Sequence, residues 1–215
     1  MSTDLPTQPS SLRINEPAPQ FSARTTMGER TLASYAGKWL LFFSHPADFT
    51  PVCTSEFIAF ARAFKKFQNA GCQLLGLSVD SLYAHLAWIR DIRDRFDVEI
   101  PFPIVEDPTM AIARAYGMIS GGAGDSSTTR AAFIIDPDQM VRAIVWYPLN
   151  VGRNVDELLR LVQALKESDA THTSTPEGWR PGDALLEPAP TDCKEALVAT
   201  GTREAWYYRT RKPKR

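Results

Sequence analysis

The chain lacks any apolar run approaching the roughly 20 residues that a membrane-crossing helix needs, so no membrane span and no membrane partner are expected. Its opening, MSTDLPTQPSS, lacks the apolar stretch of a secretory signal, which makes the cytoplasm the expected location. Cysteine is scarce: Cys53, Cys72 and Cys193 are odd in number, far apart and without a CxxC or close-spaced zinc pattern. No disulfide framework, metal or other cofactor is expected, and free thiols in a reducing compartment fit better. Net charge is nearly missing at −1, yet the last seven residues, RTRKPKR, carry five positive charges, so the rest of the chain sums to −6. A basic end of this size is usually a solvated terminus, and no nucleic-acid partner is expected from it. No internal repeat is visible, and GGAG (121–124) reads as a loop rather than a phosphate cradle, because it neither follows a strand directly nor opens a clear helix.

What is present is enough apolar material, 44% of 215 residues, to bury one ordinary domain with an appendage. Strands and helices alternate from Trp39 to Arg142, the pattern of an α/β domain. Short apolar runs at 39–44 (WLLFFS), 73–80, 102–107 and 131–136 predict buried strands, and MVRAIVWY (140–147) follows after an Asp-Pro-Asp turn. Two further strands, near 21–26 and 30–32, flank the Met27-Gly28 turn. Phe57, Phe60, Phe64 and Phe67 form one apolar stripe and predict a core-facing helix. Asn154, with Glu157 three residues on, opens a second helix whose stripe is Val155, Leu158, Leu159, Val162 and Leu165, ending near Ser168. Residues 169–190 shift to Thr, Pro and Gly and read as a linker or extended arm. The expected division is therefore a domain over 1–170 and an arm over 171–215. Its aromatic close, Trp206, Tyr207 and Tyr208, suits a docked arm rather than a free tail, and Trp179 and Trp206 have two readings, a contact with a neighbouring subunit or packing within their own chain.

Cys53 is the candidate chemical centre. Thr50 suits a helix N-cap and Pro51 the first helical position, so Cys53 falls in the first turn. There the open amides and the positive end of the helix dipole favour a thiolate over a thiol. A cysteine near a helix start is often only a small packing residue. Here His45, Pro46, Thr50, Thr54, Ser55 and Glu56 make the turn more polar than packing requires, and strand-to-helix junctions at the carboxyl edge of a sheet are where such folds place their sites. Cys72, opening an apolar strand, reads as an inert buried residue.

The segment SHPADFTPVCTSE (44–56) resembles the peroxiredoxins, in the branch where this motif surrounds the peroxide-reacting cysteine. The resemblance extends from Glu16-Pro17-Ala18-Pro19 through GLSVDS (76–81) and FPIVEDP (102–108) to GRNVDELLR (152–160). It implies a thioredoxin-like fold, a central mixed β-sheet flanked by helices with a small C-terminal extension, and reduction of hydroperoxides by an external thiol. It further implies Cys53 as nucleophile, Thr50 hydrogen-bonded to the peroxide, Pro46 shielding the sulfur, and Arg130 holding the thiolate and polarising the peroxide. An arginine suits that role because its guanidinium stays charged and offers several donors in fixed geometry, although Arg130 by itself reads as one surface arginine among many. His45 either shares a proton with the sulfur or caps the strand. Arg153 matches a second family arginine with Glu56 as its partner, or the two form an ordinary surface ion pair. The family resemblance also implies homodimers and larger rings, decamers among them.

Oxidation of Cys53 yields a sulfenic acid that something must reduce. Cys193 does not match the pattern of two-cysteine relatives in which cysteines flank a tryptophan pair, so a one-cysteine cycle is expected. Members of this branch that hydrolyse phospholipids use an early GxSxG serine; MGERTLAS (27–34) has none, and no lipase activity is expected. A thioredoxin-type reductase would need the missing CxxC. The non-enzymatic alternative is a ring-forming holdase or a peroxide sensor that relays oxidation to a partner.

Overall fold

The computed structural model describes residues 12–119, 127–198 and 205–212. GGAG and the first eleven residues lie outside them. The chain divides into two compact units, Met1–Val155 and Asp156–Arg215.

The first unit is built on a seven-stranded mixed sheet. Its strands are β1 (Ser22–Thr25), β2 (Gly28–Thr31), β3 (Trp39–Ser44), β4 (Cys72–Ser78), β5 (Ile104–Glu106), β6 (Arg130–Ile135) and β7 (Val141–Tyr147), in the order β2-β1-β5-β4-β3-β6-β7. β3, β4 and β5 run parallel; β6 pairs antiparallel with β3, and β7 with β6. The predicted strands are all present. The Met27-Gly28 turn closes β1 on β2, with Gly28 at φ 83°, where a side chain would be strained.

Among the described residues, the α-helices lying wholly within this unit are α1 (Pro51–Asn69), α2 (Leu82–Phe96) and the short α3 (Ala111–Ala115). The pleat of β3 sends alternate residues to opposite faces. Phe42 joins Phe21, Tyr116 and Phe133 on the α3 side. Phe43 stacks on Phe60 of α1 at 4.2 Å and meets Phe57 and Phe102. The predicted phenylalanine stripe thus faces the sheet, with Phe57, Phe60 and Phe67 fully buried and Phe64 half-buried. Each fully buried ring contributes about 1.5–3 kcal/mol of transfer free energy. α2, on the same face, starts at Ser81, whose hydroxyl accepts from the Ala84 amide, and stops at Asp97 in the left-handed region.

The second unit contains most of α4 (Val155–Thr171), which runs three residues beyond the expected Ser168, and α5 (Cys193–Val198). β8 (Leu185–Leu186) pairs with β9 (Thr210–Arg211). The arm is therefore more ordered than its composition indicates. Of the two readings of Trp179, packing within its own chain is the one found: it is buried with Ala164 and Leu185 of its own unit, where the large indole covers apolar area. Trp206, Tyr207 and Tyr208 are exposed.

Candidate active site

The site lies where β3 gives way to α1. Ser44 ends the strand, and its hydroxyl donates to the Thr129 carbonyl while accepting from the Ala131 amide. These bonds lock the end of β3 to the start of β6, which sets Arg130 beside the helix. Thr50 occupies the N-cap with extended backbone and Pro51 follows, as expected, but Thr50 makes no side-chain cap. Its hydroxyl donates back to the Ala47 carbonyl at 2.9 Å. The first-turn amides, which have no partner within a helix, are thus left uncovered by that side chain. Pro46 is half-buried in the same loop.

Cys53 is fully buried, and Arg130 Nη1 lies 3.4 Å from its sulfur. The same nitrogen donates to Glu56 Oε2 at 2.8 Å, and Arg130 Nε donates to the Leu149 carbonyl at 2.9 Å. Glu56, one turn beyond Cys53, is also gripped by Arg153: the Arg153 amide and Nε donate to Oε1 at 2.7 and 2.9 Å, and Nη2 donates to Oε2 at 2.8 Å. Arg153 further donates to the Ala131 carbonyl and lies over the Phe43 and Phe60 rings. All three charged side chains are at most 3% exposed, so the alternative of an ordinary surface pair does not describe them. Burial by itself would raise the Glu56 carboxyl, but hydrogen bonds and charge from Arg153, then the charge of Arg130, hold it below the ordinary 4.5.

His45 is buried behind this cluster, its ring on Phe57 at 4.7 Å and stacked on Trp88 at 5.1 Å. Its Nε2 meets Asp48 Oδ1 at 2.8 Å, and the other oxygen of Asp48 meets His85 Nδ1 at 2.7 Å. Sequence reasoning singled out neither Asp48 nor His85. The available signal was faint: the chain has only three histidines, and two of them meet on one carboxylate. These three residues are of metal-binding types, but both contacts have hydrogen-bond lengths, and an ion would have to displace both protons.

The AhpC/TSA family pattern matches residues 14–144. "Peroxiredoxin 2" of Thermoplasma acidophilum is 47% identical over 196 residues, covering 90% of this chain and 98% of the relative. The chain belongs to the peroxiredoxins. "Peroxiredoxin" of Aquifex aeolicus is 43% identical, with 86% and 88% covered. Among solved structures, a yeast mitochondrial 1-Cys peroxiredoxin matches with TM-score 0.84 and 38% identity over 94% of this chain and 100% of that one. A Plasmodium vivax 2-Cys peroxiredoxin matches with TM-score 0.76 and 32% identity over 84% and 94%. This peroxiredoxin has the expected thioredoxin-like fold and is a thiol peroxidase. Among the described residues, no helix of it is long and apolar enough to cross a membrane.

Proposed function

We propose that Cys53 is the sulfur that attacks hydrogen peroxide and organic hydroperoxides, in a one-cysteine cycle completed by an external thiol. The observation that carries this is the Arg130 guanidinium at 3.4 Å from a fully buried sulfur. Arg130, Arg153 and Glu56 together sum to one positive charge in a water-poor site, and an anionic sulfur brings the cluster to neutrality. The S–O bond forms as the O–O bond breaks, and the negative charge developing on the departing oxygen falls where Arg130 and the first-turn amides can donate to it. Thr50, whose proton is committed to Ala47, accepts the hydrogen bond of the peroxide O–H. Pro46 limits water at the sulfur, and Glu56 with Arg153 hold Arg130 in place.

Cys72 is fully buried at the start of β4, and Cys193 is exposed in α5. The full-length likeness to the yeast 1-Cys protein supports the one-cysteine cycle. Glutathione and thioredoxin systems, which resolve that protein, supply the class of reductant. Residues 1–170 form the peroxidase domain and 171–215 a dimer-associated arm, in a cytoplasmic homodimer or larger ring.

Mass spectrometry of peroxide-treated protein tests the reading: Cys53 is oxidised first, to sulfenic acid, and Cys53→Ser abolishes turnover. Cys193→Ser keeps full multiple turnover with an external thiol. Loss of turnover in that variant together with a missing disulfide intermediate would replace the one-cysteine cycle with a two-cysteine one. Catalytic turnover also separates an enzyme from a sensor or holdase, which need only become oxidised.

A further inference from the structure

In the loop that leads into the Cys53 turn, Phe49 holds a left-handed backbone at φ 56°. That region is costly for a bulky side chain and persists only where the surroundings over-determine it. Packing of the ring is not what holds it, because Phe49 is 57% exposed. The constraint comes from its two neighbours in the chain.

Asp48, on one side, is held through backbone and side chain together. Its amide donates to Asp80 Oδ2 at 3.0 Å, and its carboxylate accepts from His45 Nε2 at 2.8 Å and from His85 Nδ1 at 2.7 Å. Asp80 is itself fixed just past β4: the Ser78 hydroxyl donates to the same Oδ2 at 2.7 Å, and the Asp80 amide donates to Ser78 Oγ at 3.1 Å. Thr50, on the other side, is tied into α1. Its carbonyl accepts from the Thr54 amide at 2.9 Å and from the Thr54 hydroxyl at 2.8 Å, and that hydroxyl accepts from Trp88 Nε1 at 3.3 Å. With both neighbours held, Phe49 has little room to relax into another region.

The turn decides what the Thr50 hydroxyl can do. It sets the Ala47 carbonyl 2.9 Å from that hydroxyl, which donates to it. With its hydrogen so occupied, the Thr50 oxygen is left with lone pairs alone. A hydroperoxide carries an O–H, so an acceptor orients it for attack, whereas a hydroxyl free to turn donates to the thiolate and weakens it as a nucleophile.

We propose that Asp48 and Asp80 are positioning residues for peroxide reduction: acting through the left-handed Phe49 turn, they keep the Thr50 hydroxyl bonded to Ala47 and so offer the peroxide an oxygen that only accepts. This rests on Cys53 as the reacting sulfur and Thr50 as the acceptor. The chemical step is unchanged: the S–O bond forms, the O–O bond breaks, and sulfur is oxidised as the peroxide is reduced.

The experiment follows two reactions of Cys53 in the full chain by stopped flow and mass analysis. Oxidation by hydrogen peroxide uses the acceptor; thiolation by methyl methanethiosulfonate, which has no O–H or N–H, needs only the thiolate. Asp80→Ala slows oxidation at least about tenfold and leaves thiolation unslowed. Asp80→Asn, which keeps an acceptor for the Asp48 amide, stays within about threefold of wild type in both reactions. Thr50→Val shows the same split, and adding Asp80→Ala to it costs less than about twofold more. Equal slowing of both reactions by Asp80→Ala, or slowing of neither, overturns the inference, as does a full additional loss in the Thr50→Val background. Hydrogen exchange at the wild-type Asp48 amide is slow; fast exchange overturns the inference even if Asp80→Ala does not fold. Undiminished oxidation in Thr50→Val removes the acceptor role and this inference with it, while leaving Cys53 as the nucleophile. Failure of wild-type Cys53 to oxidise overturns the reading beneath both.

Discussion

Glu56→Gln removes one charge from the centre of the buried cluster and nothing from its volume. The wild-type carboxylate accepts four hydrogen bonds, three from Arg153 and one from Arg130, and its side chain is 1% exposed. A glutamine keeps one acceptor oxygen but turns an NH2 group toward guanidinium donors, and leaves two buried cations without their anion. Removing one partner of such a pair costs about 3–5 kcal/mol. In a chain of 215 residues that lowers the melting temperature by on the order of 10 °C, at about 2–4 °C per kcal/mol. The pH dependence carries the sharper test. The folded-state value of Glu56 lies below its ordinary 4.5, so its contribution is fully present above the unfolded value and disappears as pH falls through the folded one. Urea unfolding of wild type and variant from neutral to acid pH should show a constant gap that narrows only below about pH 4.5. A gap under about 1 kcal/mol at neutral pH would refute the buried-pair argument. A gap that closes well above the carboxylate range would assign the effect to a histidine.

Arg130→Lys keeps the charge but cannot reach Cys53, Glu56 and the Leu149 carbonyl together, so single-turnover oxidation by hydrogen peroxide should fall about 100-fold; a loss under threefold would deny Arg130 its role. Gly76→Ala in β4 brings a Cβ to 3.3 Å from the Phe57 ring, with Phe43 and Ile104 close behind, and should cost about 1–3 kcal/mol in urea unfolding. Unchanged stability there would mean that the phenylalanine layer yields freely. His45, held below its ordinary 6.5, is neutral in the fold and more easily protonated in the unfolded chain. Stability should therefore fall as pH drops below about 6.5 toward the folded value, and His45→Asn should flatten that part of the curve.

Legibility in the sequence followed the range of the physics. The strands of the sheet and α1 were readable because an apolar run or a three-to-four stripe is a local consequence of which face is buried. Cys53 and Thr50 were readable for the same reason, since a proline at the first helical position fixes where the turn begins. Arg130 and Arg153 had no local mark, and only the family motif gave them rank. Their geometry depends on β6 lying antiparallel beside β3 and on Glu56 reaching both, which are facts of pairing across 74 and 97 residues. Composition reports that the arm is polar, not which of its few large side chains finds cover within its own unit, so the sequence leaves Trp179 with two readings and the structure selects the intrachain one.

The least legible part of the site is its most constrained. His85 sits on a helix that the sequence reading did not single out, and Asp48 in a loop with no periodicity, yet the two histidine rings, one just past β3 and one from α2, meet on the single Asp48 carboxylate. The carboxylate only accepts, so each ring turns a donor toward it, and His45 keeps Nδ1 without a partner. Spacing along a chain cannot encode that, because what matters is which atoms are left over once the fold has used the rest. The same logic explains the idle cap of Thr50, whose hydroxyl is spent on Ala47. A peroxidase needs acceptors and donors held ready for an oxygen that arrives later, so its site is built from hydrogen-bonding capacity that folding leaves unused.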